Sequence, residues 1–98
     1  MSYKVSAAEN PHYMDEDEWR TAGFYDGIEE ALAACRYIID RSLRELDDDR
    51  MRATELFRLW AVMGEDAWVV PLRDGLTKAE FSGRDYARLR SEDICQGR

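Results

Sequence analysis

Near the start of the chain, His12 is followed by Asp15, Asp17 and Glu18. Carboxylates at alternate positions can hold a hard cation, and an imidazole adds a borderline ligand. His12, Asp15 and Asp17 are therefore the candidate metal ligands. The stretch has no central glycine and no closing glutamate at EF-hand spacing, so its plainer reading is a solvated loop. A second candidate is the pair Glu65-Asp66, placed just before an apolar run. Acid–base chemistry needs one carboxyl in an apolar pocket and the other exposed, and nothing in the sequence marks either as buried. Its plainer reading is a helix-to-strand turn. Nucleophilic chemistry has less support. His12 is the single histidine and lies far in sequence from Cys35 and Cys95, and no Gly-x-Ser-x-Gly elbow occurs. The six glycines are scattered, so there is no phosphate-cradling loop. No cofactor is called for, and a non-enzymatic role is expected.

Charge points to a different use for the same residues. The formal net charge is -7. Binding to nucleic acid relies on Lys and Arg meeting phosphates, and binding to an anionic membrane relies on the same cations, so both are disfavoured. The acid is concentrated. Residues 9–18 hold Glu9, Asp15, Glu16, Asp17 and Glu18 with no Lys or Arg, and residues 47–49 are Asp47, Asp48 and Asp49. Setting those eight acids aside turns -7 into +1, a nearly balanced body. Asp15, Glu16, Asp17, Glu18, Asp47, Asp48 and Asp49 are thus candidate partner-binding residues. Spaced carboxylates can occupy the basic cleft of a nuclease or a CRISPR-type effector, in the manner of a nucleic-acid mimic.

These groups have to be positioned by folded elements. The 98 residues suit one domain, residues 1–98, and the apolar fraction of 45% suffices for a core. Residues 27–46 are the strongest signal. Ile28, Ala31, Leu32, Cys35, Ile38, Ile39, Ser42, Leu43 and Leu46 recur in steps of three and four, which makes one stripe on a helix. Asp26 is expected to cap it, with Glu29 completing a capping box, and Asp40 to pair with Arg44. Before this helix, residues 3–7 read as a strand with Tyr3, Val5 and Ala7 on one face. Asn10-Pro11 ends it. Residues 19–25 read as a second strand, in which Trp19, Thr21 and Gly23 alternate with Arg20, Ala22 and Phe24. Gly23 suggests a bulge.

After the acidic connector, residues 52–63 form a second helix with Leu56, Phe57, Trp60 and Met63 as its main stripe. Leu59 and Val62 leave it little polar surface, so it is expected to be either wedged between layers or partly covered by another subunit, and Trp60 joins the candidate partner-binding residues. Gly64 is a stop. Residues 67–70 are the clearest strand, closed by Pro71. Ser82, with Asp85 three residues on, caps a last helix over residues 82–95 that carries Tyr86, Leu89 and Ile94. The order β-β-α-α-β-α predicts an α+β fold: a small antiparallel sheet of about three strands with helices packed on one face. Trp19, Trp60, Trp68, Phe57, Phe24 and Tyr13 are expected mostly in the core, with one or two at an interface. Cys35 lies on the apolar stripe. Cys95 is expected near the surface, and a bridge between the two is the less favoured state. The opening Met-Ser-Tyr-Lys-Val is no signal peptide, and no apolar run approaches the about 20 residues of a membrane span, so a cytoplasmic location is expected.

Tyr3-Lys4-Val5-Ser6, the run Asn10-Pro11-His12-Tyr13-Met14-Asp15-Glu16, Glu29-Glu30-Ala31, Gly64-Glu65-Asp66, and Phe81-Ser82 with Asp85-Tyr86-Ala87 together resemble a group of small bacterial proteins of unknown function. The likeness spans nearly the whole chain. It implies a single bacterial domain and supplies no catalytic residues. The connector Asp47-Asp48-Asp49 is more acidic than in that group, so no shared role is carried over for it. Three functions follow as expectations. The first is protein–protein interaction without catalysis, including a homodimer through the second helix. The others are an acidic mimic of nucleic acid and a metal site at His12.

Overall fold

A computed structural model describes residues 1–97. Its spine is α1, Ile28–Leu46. The stripe on this helix serves two cores. Ala31, Cys35 and Ile38 meet Tyr3, Val5, Ala7 and Ala67 of the sheet. Further along, Ile39 and Leu43 meet Leu56, Trp60 and Ala87 of the other two helices. A helix of 19 residues is about 28 Å long, enough to reach both groups. The molecule is accordingly long and thin, 44 × 27 × 17 Å.

The sheet is antiparallel throughout. β1, Tyr3–Glu9, lies in the centre, between β2, Arg20–Tyr25, and β3, Glu65–Pro71. The expected α+β order β-β-α-α-β-α is the one observed. Side chains of a strand alternate between faces, and directly paired residues share a face. Tyr3, Val5 and Ala7 therefore point toward α1, and Lys4, Ser6 and Ala8 point away. Along β2 the pairing steps from Val5 with Gly23 to Ser6 with Thr21, leaving Ala22 as an extra residue. This is the bulge that Gly23 suggested. It also corrects the simple alternation expected for this strand. Thr21 lies with Ser6 on the outer face and Gly23 with Val5 on the inner one, because the extra residue changes the phase between them.

The ends of α1 depart from expectation. Its N-cap is Gly27, with no side-chain cap bond, so Glu29 falls one position short of the capping-box site. Asp26 lies instead 3.9 Å from the N-terminal amine. Asp40 does not pair with Arg44. Its Oδ1 accepts hydrogen bonds from Tyr86 Oη and Arg90 Nε, each at 2.9 Å. Those donors come from α3, Gly83–Gln96, in a site partly shielded from water, where an ion pair gains more than on an exposed helix face. Burial, and then the bond to Asp40, push the Tyr86 phenol up to about 12.

α2, Ala53–Met63, turns Leu56 and Trp60 inward. Met63, expected on that stripe, is 54% exposed, and Val62 is 68% exposed. Met63 is the last residue of this helix. α3 packs through the small residues Gly83, Ala87 and Ser91, spaced by four. Leu89 lies off that line and is 53% exposed. The Ser82 cap forms as expected, Ser82 Oγ accepting from the Asp85 N–H at 3.2 Å. Cys35 sits in the sheet core and Cys95 against the Met51 carbonyl at the far end of the helices, and the two are not bridged. Burial raises the Cys35 thiol to about 11, which leaves it protonated and unreactive at neutral pH. Among the described residues no helix is long and apolar enough to cross a membrane.

Candidate functional site

Helices cover one face of the sheet, and the opposite face carries a band of large side chains. Lys4 on β1 stands between Phe24 on β2 and Val70 on β3, and Ser6 stands between Thr21 and Trp68. Trp19 folds over the same face and meets Trp68 edge-on, with ring centroids 5.0 Å apart. Ser6 and Ala8 are buried on this face, while Phe24 is 49% exposed and Trp68 and Val70 are half-buried. β-propensity explains the presence of these residues in the strands. It does not explain their position opposite the helices, where burial does not require them. The expectation that the aromatics are mostly core is corrected here. Trp60 is buried, Phe57 is half-buried, and Trp19, Tyr13 and Phe24 are exposed.

The acidic loop joins this face. Residues 11–20 are all exposed. Trp19 Nε1–H donates to the Tyr13 carbonyl at 2.9 Å, closing the loop on itself. Asp15 accepts from the Asp17 N–H at 3.3 Å, and Glu16, Asp17 and Glu18 form a single 3-10 turn. In the second tract, Asp47 accepts from the Asp49 N–H and Asp48 from the Arg50 N–H. Asp49 has a positive φ of 67°. Asp15, Asp47 and Asp48 thus shape their own turns.

Among the described residues no group of three His, Cys, Asp or Glu side chains is arranged to hold a metal ion. His12 and Glu18 do line one cleft with Glu9 and Glu65. Arg20 fills the role a cation would take there, donating to both oxygens of Glu65 at 2.9 and 3.0 Å. Asp15 and Asp17 are not among the cleft's lining residues, so the expected trio is not assembled.

The pair Glu65-Asp66 is divided by its surroundings. Glu65 also has Arg41 at 3.6 Å, so two guanidiniums flank it. Asp66 is half-buried, and its carboxyl is pushed up by burial, against the bond it accepts from the Ala67 N–H at 2.8 Å. It lines a cleft of about 330 Å³ with Asn10, Tyr13, Trp60, Ala61 and Arg84. Neither His12 nor a thiol lines that cleft. A raised carboxyl makes the fold take up a proton, so this contribution to stability is full below the ordinary value of 3.8 and is lost as pH rises through the raised value. Asp66→Asn keeps the acceptor for Ala67 and removes the charge. Urea denaturation should find the variant more stable than wild type at pH 7, with the gap closing as pH falls toward the unfolded range. A variant less stable at pH 7 would mean that the carboxylate has a favourable partner in the fold.

Trp60, expected among the partner-binding residues, lies in the interior. It is 1% exposed, and its Nε1–H donates to the Glu65 carbonyl at 3.0 Å. A group that the sequence reading missed lies on the other side of α2. Arg58, Arg84 and Arg88 line one groove between α2 and α3 with Phe57 and Thr54. The spacing of Arg84 and Arg88 is a helical signal, but Arg58 joins them only through tertiary packing. Compared with models of protein families, with curated proteins and with solved structures, the chain shows no match.

Proposed function

We propose that this chain is a non-enzymatic protein-interaction domain whose uncovered sheet face docks on a basic protein surface. The single observation behind this reading is the aromatic band of Trp19, Phe24, Trp68 and Val70 on the face without helices. Trp and Phe are enriched where proteins meet, and exposed apolar patches mark such sites. The acidic loop enters the band directly at Glu18-Trp19, and the chain as a whole carries -7. A basic partner surface with an apolar centre matches both features. Steering by the carboxylates would speed encounter, and the indoles would supply the buried contact. A basic cleft of a nuclease or effector is the most specific form of such a partner.

The test compares the wild-type chain with two variants in capture from a lysate, followed by titration of the purified partner. Trp19→Ser with Trp68→Thr removes both indoles of the band, and Asp15→Asn, Glu16→Gln, Asp17→Asn and Glu18→Gln together neutralise the loop. The band variant should lose the partner. The loop variant should bind more slowly and lose the salt dependence seen with wild type. A partner that binds all three chains alike would overturn the reading. A second surface favours self-association. The neighbouring apolar residues Val62 and Met63 are both exposed at the end of α2, which supports a homodimer through this helix. Sedimentation at high concentration should show a dimer that Val62→Lys abolishes, and a monomer at all concentrations would remove this part.

A further inference from the structure

We propose that the groove between α2 and α3 binds the phosphate group of a phosphomonoester. Arg58 of α2 and Arg84 and Arg88 of α3 line a cleft of about 350 Å³ together with Ala53, Thr54, Phe57 and Glu92. The lining thus sets three guanidiniums against the single carboxylate of Glu92, an excess of positive charge that favours an added anion. Three of the chain's other arginines meet carboxylates. Arg20 and Arg41 meet Glu65, and Arg90 meets Asp40 and Asp93. Among the described residues, no carboxylate lies within 4.0 Å of Arg58, Arg84 or Arg88, although the chain has 21 acids for 14 Lys and Arg. Arg84 is held by another means, its guanidinium standing 5.3 Å from the centre of the Phe57 ring.

The first turn of α2 opens on the same groove. The N–H groups of that turn, including those of Ala53 and Thr54, have no helical partner, and the N-cap, Arg52, makes no side-chain cap bond to them. That end of a helix carries positive potential and favours an anion. Guanidinium forks match the oxygens of phosphate, and a dianion balances three cations better than a single carboxylate does. Phe57 and Ala53 supply an apolar floor for the carbon side of an ester. Three cations in one short groove do not make the basic track that a nucleic-acid strand needs.

The probes are phenyl phosphate, inorganic phosphate and, at matched ionic strength, sodium chloride. Each is titrated into the ¹⁵N-labelled chain and followed by amide chemical shifts. Phenyl phosphate should give saturable shifts at Ala53, Thr54 and Arg88. Inorganic phosphate should move the same amides at higher concentration, because it does not use the floor. Arg58→Gln with Arg88→Gln should weaken phenyl phosphate about tenfold or more while leaving the spectrum folded. Arg84 is spared in that variant because it covers Phe57. Binding should strengthen between about pH 5.5 and about pH 7.5, as phosphate takes its second charge while the arginines stay unchanged. Shifts equal to those in chloride, or binding that survives in the double variant, would overturn the proposal. Tighter binding of a glutamate-rich peptide than of phenyl phosphate would also overturn it, in favour of a carboxylate-bearing partner.

Discussion

Trp60→Ala is expected to cost about 3–5 kcal/mol of folding stability. The indole is among the largest fully buried side chains of the protein and fills the core shared by Ile39, Leu43, Leu56 and Ala87. It stacks on Phe57 with centroids 6.2 Å apart, and its N–H satisfies the Glu65 carbonyl where α2 gives way to β3. Removing it opens a cavity and leaves that carbonyl without this donor. Domains of this size have total stabilities of about 5–15 kcal/mol, so much of the margin would go. Thermal melts should fall by more than about 12 °C. Trp60→Phe keeps most of the volume and should lose much less. A loss under about 1 kcal/mol for the alanine variant would show that the indole does not hold the helical core together.

Gly64→Ala should be nearly as damaging, for a reason that depends on the same indole. Gly64 ends α2 with φ -81° and ψ 178°, a conformation open to any residue. The constraint is space. An added Cβ would collide with Trp60 Cδ1 and lie 2.7 Å from its Cγ and 2.8 Å from the Trp60 carbonyl oxygen. The indole is pinned by its bond to Glu65 and the carbonyl by the Asn10 amide at 2.7 Å, so neither yields easily. Overpacking of this kind costs about 1–3 kcal/mol, more than alanine recovers by stiffening the unfolded chain. The two substitutions should not add. In the Trp60→Ala background the side-chain clash is gone, and a double-mutant cycle by urea denaturation should show coupling of about 1 kcal/mol or more. Additive losses would mean that the alanine strains the turn without meeting the indole.

The interaction surface and the arginine groove differ in how far they could be read in advance. The acidic loop was legible because charge patterning is local. Ten successive residues without a cation, bounded by a turn signal and an aromatic strand, have few buried options. The aromatic band was not legible, because β-propensity places Trp and Phe in strands without saying which face is covered. The bulge at Ala22 then changed the phase of β2, setting Thr21 and Gly23 on opposite faces. The groove was hidden for a different reason. Arg58 and Arg88 are thirty residues apart in the chain and meet only because α3 packs on α2.

Periodicity alone determined the long amphipathic helix, the strand closed by Pro71, the Ser82 cap and the α+β order, since each rests on residues within a turn or two of one another. Tertiary structure alone decided that Asp40 serves Arg90 rather than Arg44, that Trp60 is interior, that Asp66 is desolvated while Glu65 is locked between two arginines, and that Met63 and Leu89 face water. In each of these cases the partner or the cover comes from an element distant in sequence. Burial and electrostatics depend on distance in space, which a one-dimensional pattern does not contain.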